Sequence, residues 1–172
     1  GVAVATSTGG PAALPRLLSG LPSDLPVPVL VVQHISQGFV KGLASSLNTA
    51  CALEVKLAEH EERCLPGTVY VAPDDYHLGV TSHSRLVLSK QPPTNGFRPS
   101  GDALFRSVAS AWGDAAVTII LTGMGEDGVA GLEAVRDAGG LIVAQDEESS
   151  VVFGMPGAAI EAGLPDVVLG ID

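Results

Sequence analysis

With 172 residues, 19 of them acidic and 9 basic for a formal charge of −10, the chain fits one domain that buries about two thirds of its unfolded surface. Such acidity disfavours nucleic acid as a partner, since binding its phosphate backbone needs clustered Lys and Arg. The 46% hydrophobic content comes from Ala, Val and Leu rather than aromatics, and no apolar run approaches the roughly 18 residues of a membrane span, so no membrane insertion is expected.

Residues 2–5 are wholly apolar, as in a strand covered on both faces. Hydroxyls follow at Thr6, Ser7 and Thr8, and Gly9, Gly10 and Pro11 predict a helix start. Ser7 therefore sits where a strand gives way to a helix, beside backbone N–H groups and the positive end of the helix dipole. Three readings stand at this point. One is a bare turn. Another is a phosphate cradle, although the Gly-Lys-Ser/Thr of a P-loop is missing. The third is a nucleophile elbow with amides that hold an oxyanion.

Residues 12–18 read as a short helix, 20–26 as a loop and 27–33 as a second buried strand running into His34. An amphipathic helix is predicted over 39–50, a strand over 53–57 and a solvated charged turn over 59–62. Residues 68–72, 77–81 and 85–89 read as short strands separated by polar turns, hence an antiparallel meander inserted beside the main sheet. Residues 90–99 carry three prolines and an Asn-Gly and form a loop of the kind that borders a site.

Ser100 caps a predicted helix to residue 112, with Leu104, Phe105, Val108 and Trp112 at core-facing spacing. Residues 115–121 are a continuous buried strand ending in Thr122-Gly123-Met124-Gly125-Glu126-Asp127-Gly128. A helix to residue 138 follows, closed by Gly139-Gly140, then a strand over 141–144, a helix over 156–162 and a last strand over 166–169. The alternation predicts an α/β fold, a doubly wound and mostly parallel sheet with helices on both faces.

In such sheets ligands bind outside the carboxyl ends of the strands. Ser7, His34 and Asp127 each fall just past the end of a predicted buried strand, so a hydroxyl, an imidazole and a carboxylate meet at one edge. Acyl transfer needs that division of labour: a nucleophile, a base that takes its proton and an anion that orients the base. Each residue also has a plainer reading, His34 as a hydrogen-bonded packing residue and Asp127 as the cap of the helix it precedes. His60, His77 and His83 lie in or beside polar turns and are expected at the surface. No HExxH or paired Cys/His pattern is present, and no metal or cofactor is expected. Gly123 to Gly128 spell GxGxxG with Asp146 beyond, which keeps a dinucleotide-binding module open as an alternative. Two carboxylates in the turn, with no Lys or Arg between them, oppose it.

No basic segment followed by an apolar stretch and a cleavage site opens the chain, so no signal peptide is expected. The chain opens on a strand without Met, as a piece of something longer would. Cys51 and Cys64 stand outside any CxxC pair, which predicts free thiols in a cytoplasmic protein.

Ala5-Thr6-Ser7-Thr8-Gly9-Gly10-Pro11, Val32-Gln33-His34, the blocks at 65–73 and 98–100, the block at 121–128 and Ser150-Val151-Val152-Phe153-Gly154-Met155-Pro156 together resemble the catalytic domain of CheB-type chemotaxis receptor methylesterases. The resemblance spans nearly the whole chain in order, residues 1–172 then being one catalytic domain. It implies hydrolysis of glutamate γ-methyl esters on methyl-accepting chemotaxis receptors with release of methanol, and in part of the family deamidation of receptor glutamines. It points to Ser7 as nucleophile, His34 as base and Asp127 as its partner, with oxyanion donors expected at the backbone of Thr8 and Met124. Members often carry a receiver domain before a linker, and a catalytically silent receptor-docking relative is the other reading. Gly101 stands where relatives often have a bulkier apolar residue, which would loosen the start of that helix.

Overall fold

The computed structural model describes residues 1–172. Val2–Thr6 (β1) lies at the centre of a parallel sheet, paired with Val29–Gln33 (β2) on one side and Val117–Ile120 (β7) on the other. Outside β2 lie Thr68–Val71 (β4) and then Glu54–Leu57 (β3); outside β7 lie Leu141–Gln145 (β8) and Val167–Leu169 (β9). The order is therefore β3-β4-β2-β1-β7-β8-β9. The chain winds outward from β1 in both directions, and this places the carboxyl ends of β2, β1 and β7 side by side.

The apolar runs are continuous because both faces of the sheet are covered. Val4, Val29, Val31 and Val69 face a core shared with Gly10–Ser19 (α1) and Val40–Ala50 (α2), through Leu14, Leu18 and Leu47. Ala3, Ala5, Leu30 and Val32 face the opposite core. There Gly101–Trp112 (α3), Val129–Asp137 (α4) and Met155–Glu161 (α5) supply Phe105, Leu132 and Met155. Alternate residues thus point to different cores, the period of two that a strand imposes. Gly9 precedes α1 at φ +88°, a conformation that favours glycine, and a Cβ there would stand 2.7 Å from Val151 Cβ.

The antiparallel insertion is a two-stranded hairpin, His77–Val80 (β5) with Leu86–Ser89 (β6). The expected third member, residues 68–72, belongs instead to the main sheet as β4, between β2 and β3. Its Thr-Val-Tyr-Val run is buried on both faces, and a short apolar run alone does not say which sheet receives it. The hairpin is moored to α3, where the Ser107 hydroxyl bridges Val80 N at 2.8 Å and Val80 O at 3.2 Å. That docking buries His77, which was expected at the surface and is only 6% exposed, with Nε2 on Pro92 O at 3.0 Å. His60 and His83 are exposed, as expected. Cys51 and Cys64 are free, and burial pushes the Cys64 thiol up. No helix is long and apolar enough to cross a membrane.

Candidate active site

The ladder that joins β1 to its neighbours continues one step past the strands. Ser7 N donates to Thr122 O at 3.0 Å and His34 N donates to Thr6 O at 3.0 Å. Ser7 and His34 consequently leave adjacent strands at the same level. Gln33, the last residue of β2 and 3% exposed, turns its amide across the gap, and Nε2 donates to Ser7 O and to His34 O, both at 2.8 Å. An ideal Cβ on Gly10 would lie 1.9 Å from Gln33 Oε1 and 2.6 Å from Thr6 Oγ1, so α1 can start this close only with a glycine.

Asp127 reaches the same place from the loop after β7. The carboxylate is buried at 2% exposure and caps a helix, though not the one it precedes. Its oxygens sit on the N-terminus of α3, where Oδ2 accepts from Gly101 N at 2.7 Å and Oδ1 from Ser100 Oγ at 2.9 Å and Asp102 N at 3.3 Å. Oδ2 also lies 2.7 Å from His34 Nε2. Burial alone would raise this carboxyl. The His34 contact, the Gly101 N–H and the Ser100 hydroxyl outweigh burial and hold it below the ordinary carboxylate range. Gly101 tightens the helix start rather than loosening it, because a Cβ there would stand 2.9 Å from Ala5 Cβ.

An ionised Asp127 can only accept, so Nε2 of His34 carries the hydrogen and Nδ1 of the neutral ring is the lone-pair nitrogen. Nδ1 is buried and free of any protein partner. Ser7 is half-buried, and its hydroxyl is likewise not hydrogen-bonded to the protein, so the His34–Asp127 pair is in contact while the Ser7–His34 bond is not made here. Such bonds are often long in ligand-free sites and tighten around substrate. The loops that flank Ser7 are stitched by Thr122, whose hydroxyl donates to Thr8 O at 2.9 Å and accepts from Val152 N at 3.0 Å. Thr8 N and Met124 N, the expected oxyanion donors, bond to no protein acceptor, and the Met124 side chain is 66% exposed.

Several residues of the site escaped the sequence reading. Ser100 was read only as a cap; it does accept from Ala103 N at 3.3 Å, but it also donates to Asp127. Phe97 stacks on His34, ring centroids 3.8 Å apart and planes 2° from parallel. With Ile35, Ser36, Gly96, Arg98 and Pro99 it lines a concavity of about 390 Å³ beside the imidazole. Asp102 is buried next to Asp127; burial raises its carboxyl and the Asp127 charge adds to the rise, against the Gly131 N–H bond. The Asn-Gly signal located a turn before Phe97, but no local pattern places an aromatic over a histidine 63 positions earlier. The dinucleotide alternative loses its one useful acid to internal work, since Asp146 accepts from the Ser149 N–H and hydroxyl at 2.9 and 2.6 Å.

The CheB methylesterase family model matches residues 2–172. A protein-glutamate methylesterase/protein-glutamine glutaminase of Myxococcus xanthus is 58% identical over 170 residues, covering 99% of this chain and 48% of the relative. One of Rhizobium meliloti with the same activity in its name is 54% identical over 171 residues, covering 99% and 48%. The chain thus spans about half the length of the curated relatives it matches. The crystal structure of the Thermotoga maritima CheB methylesterase catalytic domain superposes with a TM-score of 0.96 at 41% identity, covering 99% of this chain and 92% of that one. Sequence and fold agree along the full length, and the chain belongs to the CheB methylesterase family.

Proposed function

We propose that residues 1–172 form a single catalytic domain that hydrolyses glutamate γ-methyl esters on methyl-accepting chemotaxis receptors and, by the same route, deamidates receptor glutamines. The observation that carries this reading is the convergence of Ser7, His34 and Asp127 from the adjacent ends of β1, β2 and β7, with His34 Nε2 2.7 Å from Asp127. The relatives' names support both activities.

Ser7 Oγ attacks the γ-carbonyl carbon as its proton passes to His34 Nδ1, and the carbonyl π pair moves onto oxygen. Asp127 stabilises the imidazolium through Nε2. The N–H groups of Thr8 and Met124 are uncommitted and border Ser7, which supports them as donors to the oxyanion; one such donor is typically worth about a hundredfold or more in rate. When the tetrahedral species collapses, the C–OCH₃ bond breaks and Nδ1–H protonates the leaving oxygen, so methanol departs. Water then repeats the sequence on the glutamyl ester of Ser7, releasing a free glutamate side chain. With a glutamine substrate, ammonia leaves instead.

Methanol release from methylated receptor membranes tests the reading. Ser7→Ala is expected to fold as the wild type does and to lower turnover by about 10⁴-fold or more. A Ser7→Ala variant that keeps most of the wild-type rate overturns it.

A further inference from the structure

The turn carrying Phe97 is held more firmly than its place in an exposed loop requires. Thr94 and Phe97 exchange N–H···O bonds of 2.9 Å across Asn95 and Gly96, whose φ values of +54° and +83° are those of a tight hairpin turn. Arg98 grips Asp75 through Nε at 2.9 Å and also bonds the carbonyls of Lys90 and Gln91, which fixes the C-terminal side. Inside the turn, Asn95 Nδ2 donates to Asp102 Oδ2 at 2.8 Å, and Asp102 Oδ1 accepts from Gly131 N at 2.7 Å. Asp102 is 1% exposed and takes no part in the proposed chemistry.

All these contacts end on one ring. Phe97 is 36% exposed, so the core gains little from it, yet it lies flat on His34 at 3.8 Å. A group that only kept water off the imidazole would do as well as a leucine, whereas a parallel stack needs a plane. The ring nitrogen facing Asp127 holds one edge of His34 and the main chain holds its base. Without Phe97, the imidazole can tilt about the Cβ–Cγ bond and carry Nδ1 away from the nucleophile. We propose that Phe97 is a positioning residue, stapled through Asn95 to the buried Asp102, and that it holds the His34 ring with Nδ1 toward Ser7 and Nε2 on Asp127. The inference rests on the Ser7-His34-Asp127 reading above.

Two readouts test it, one of which needs no turnover. The carbon-bound ring protons of His34, assigned with His34→Gln, feel the ring current of Phe97 in NMR spectra. Phe97→Leu is expected to move them downfield and to lower kcat for methanol release by about three- to tenfold with KM nearly constant, the scale of an aromatic pair. Phe97→Tyr restores both. Asn95→Ala moves the same protons in the same direction and lowers kcat, and it adds nothing in a Phe97→Leu background. Unshifted His34 protons in Asn95→Ala, or an unchanged kcat in Phe97→Leu, overturn the proposal. If wild type and Ser7→Ala release methanol equally, the esterase reading fails, and the Asn95→Ala spectrum still decides whether the staple orients the ring.

Discussion

Around Ser7 and His34 the site is made of main chain, and around Asp127 it is made of side chains and a helix end. The first region is an extension of the β1 ladder, with strand partners on both sides and the Gln33 amide bridging two carbonyls. The second depends on Ser100, the α3 N-terminus and the pairing of Asn95 with Asp102. A ladder fixes position through many equivalent bonds and tolerates no added volume. A side-chain cluster tolerates small shifts but depends on which atoms donate and which accept. Ser7 and His34 are therefore vulnerable to bulk, and Asp127 to isosteric chemistry.

The largest effect expected from that contrast is Asp127→Asn, which keeps the shape and inverts the chemistry. A carboxamide offers one acceptor oxygen where the carboxylate offers two, and its NH₂ must face Ser100, Gly101 or His34, each of which donates now. His34 is then free to take the wrong tautomer, and kcat should fall by about 10⁴, as such a change does in other Ser-His-Asp sites. A loss under tenfold in the methanol assay would remove Asp127 from the mechanism. On the other side, Gly10→Ala forces a Cβ against Gln33 Oε1 and Thr6 Oγ1 and should destabilise the fold by about 1–3 kcal/mol in urea unfolding. Gln33→Leu strands the carbonyl of His34 and leaves that of Ser7 with only the Gly10 N–H, at a similar cost of about 1–3 kcal/mol. Because one contact underlies both, Gly10→Ala should lose much of its penalty in a Gln33→Ala background. Strict additivity would show that the clash is relieved elsewhere.

The same contrast explains what the sequence makes legible. The meeting of Ser7 and His34 at one edge is legible because each follows a strand whose apolar run is visible in the chain, and adjacent parallel strands must deliver their next residues to one edge. Asp127 was placed at that edge, but its hold on α3 rather than on its own helix depends on how α3 packs against β1, which no local pattern encodes. Phe97, Asp102 and the amide of Gln33 were invisible as site residues for the same reason: each acts across a contact between elements distant in sequence. His77 was misplaced because polar neighbours in the chain say nothing of a hairpin docking onto a helix. The sheet assignment of residues 68–72 failed where strand pairing, not strand propensity, decides the outcome.

The smallest effect separates the two buried carboxylates of the side-chain region, whose shifts have opposite signs. Asp127 sits below its ordinary value, so the stability it contributes is fully present above about pH 4 and is lost as pH falls through its folded value. Asp102 sits above its ordinary value because of burial and the nearby Asp127 charge. Its ionised form costs stability at neutral pH, and that cost is relieved as pH falls from the raised value to about 4, below which the unfolded chain is protonated too. Urea unfolding from pH 7 downward should therefore show two curves that bend on opposite sides of pH 4. The margin of wild type over Asp102→Asn grows as pH falls to about 4 and is flat below it. The margin over Asp127→Asn is flat down to about 4 and shrinks below it. Two margins that bend in the same interval would mean that the pair titrates as one unit, and that the α3 N-terminus holds both carboxylates rather than favouring Asp127.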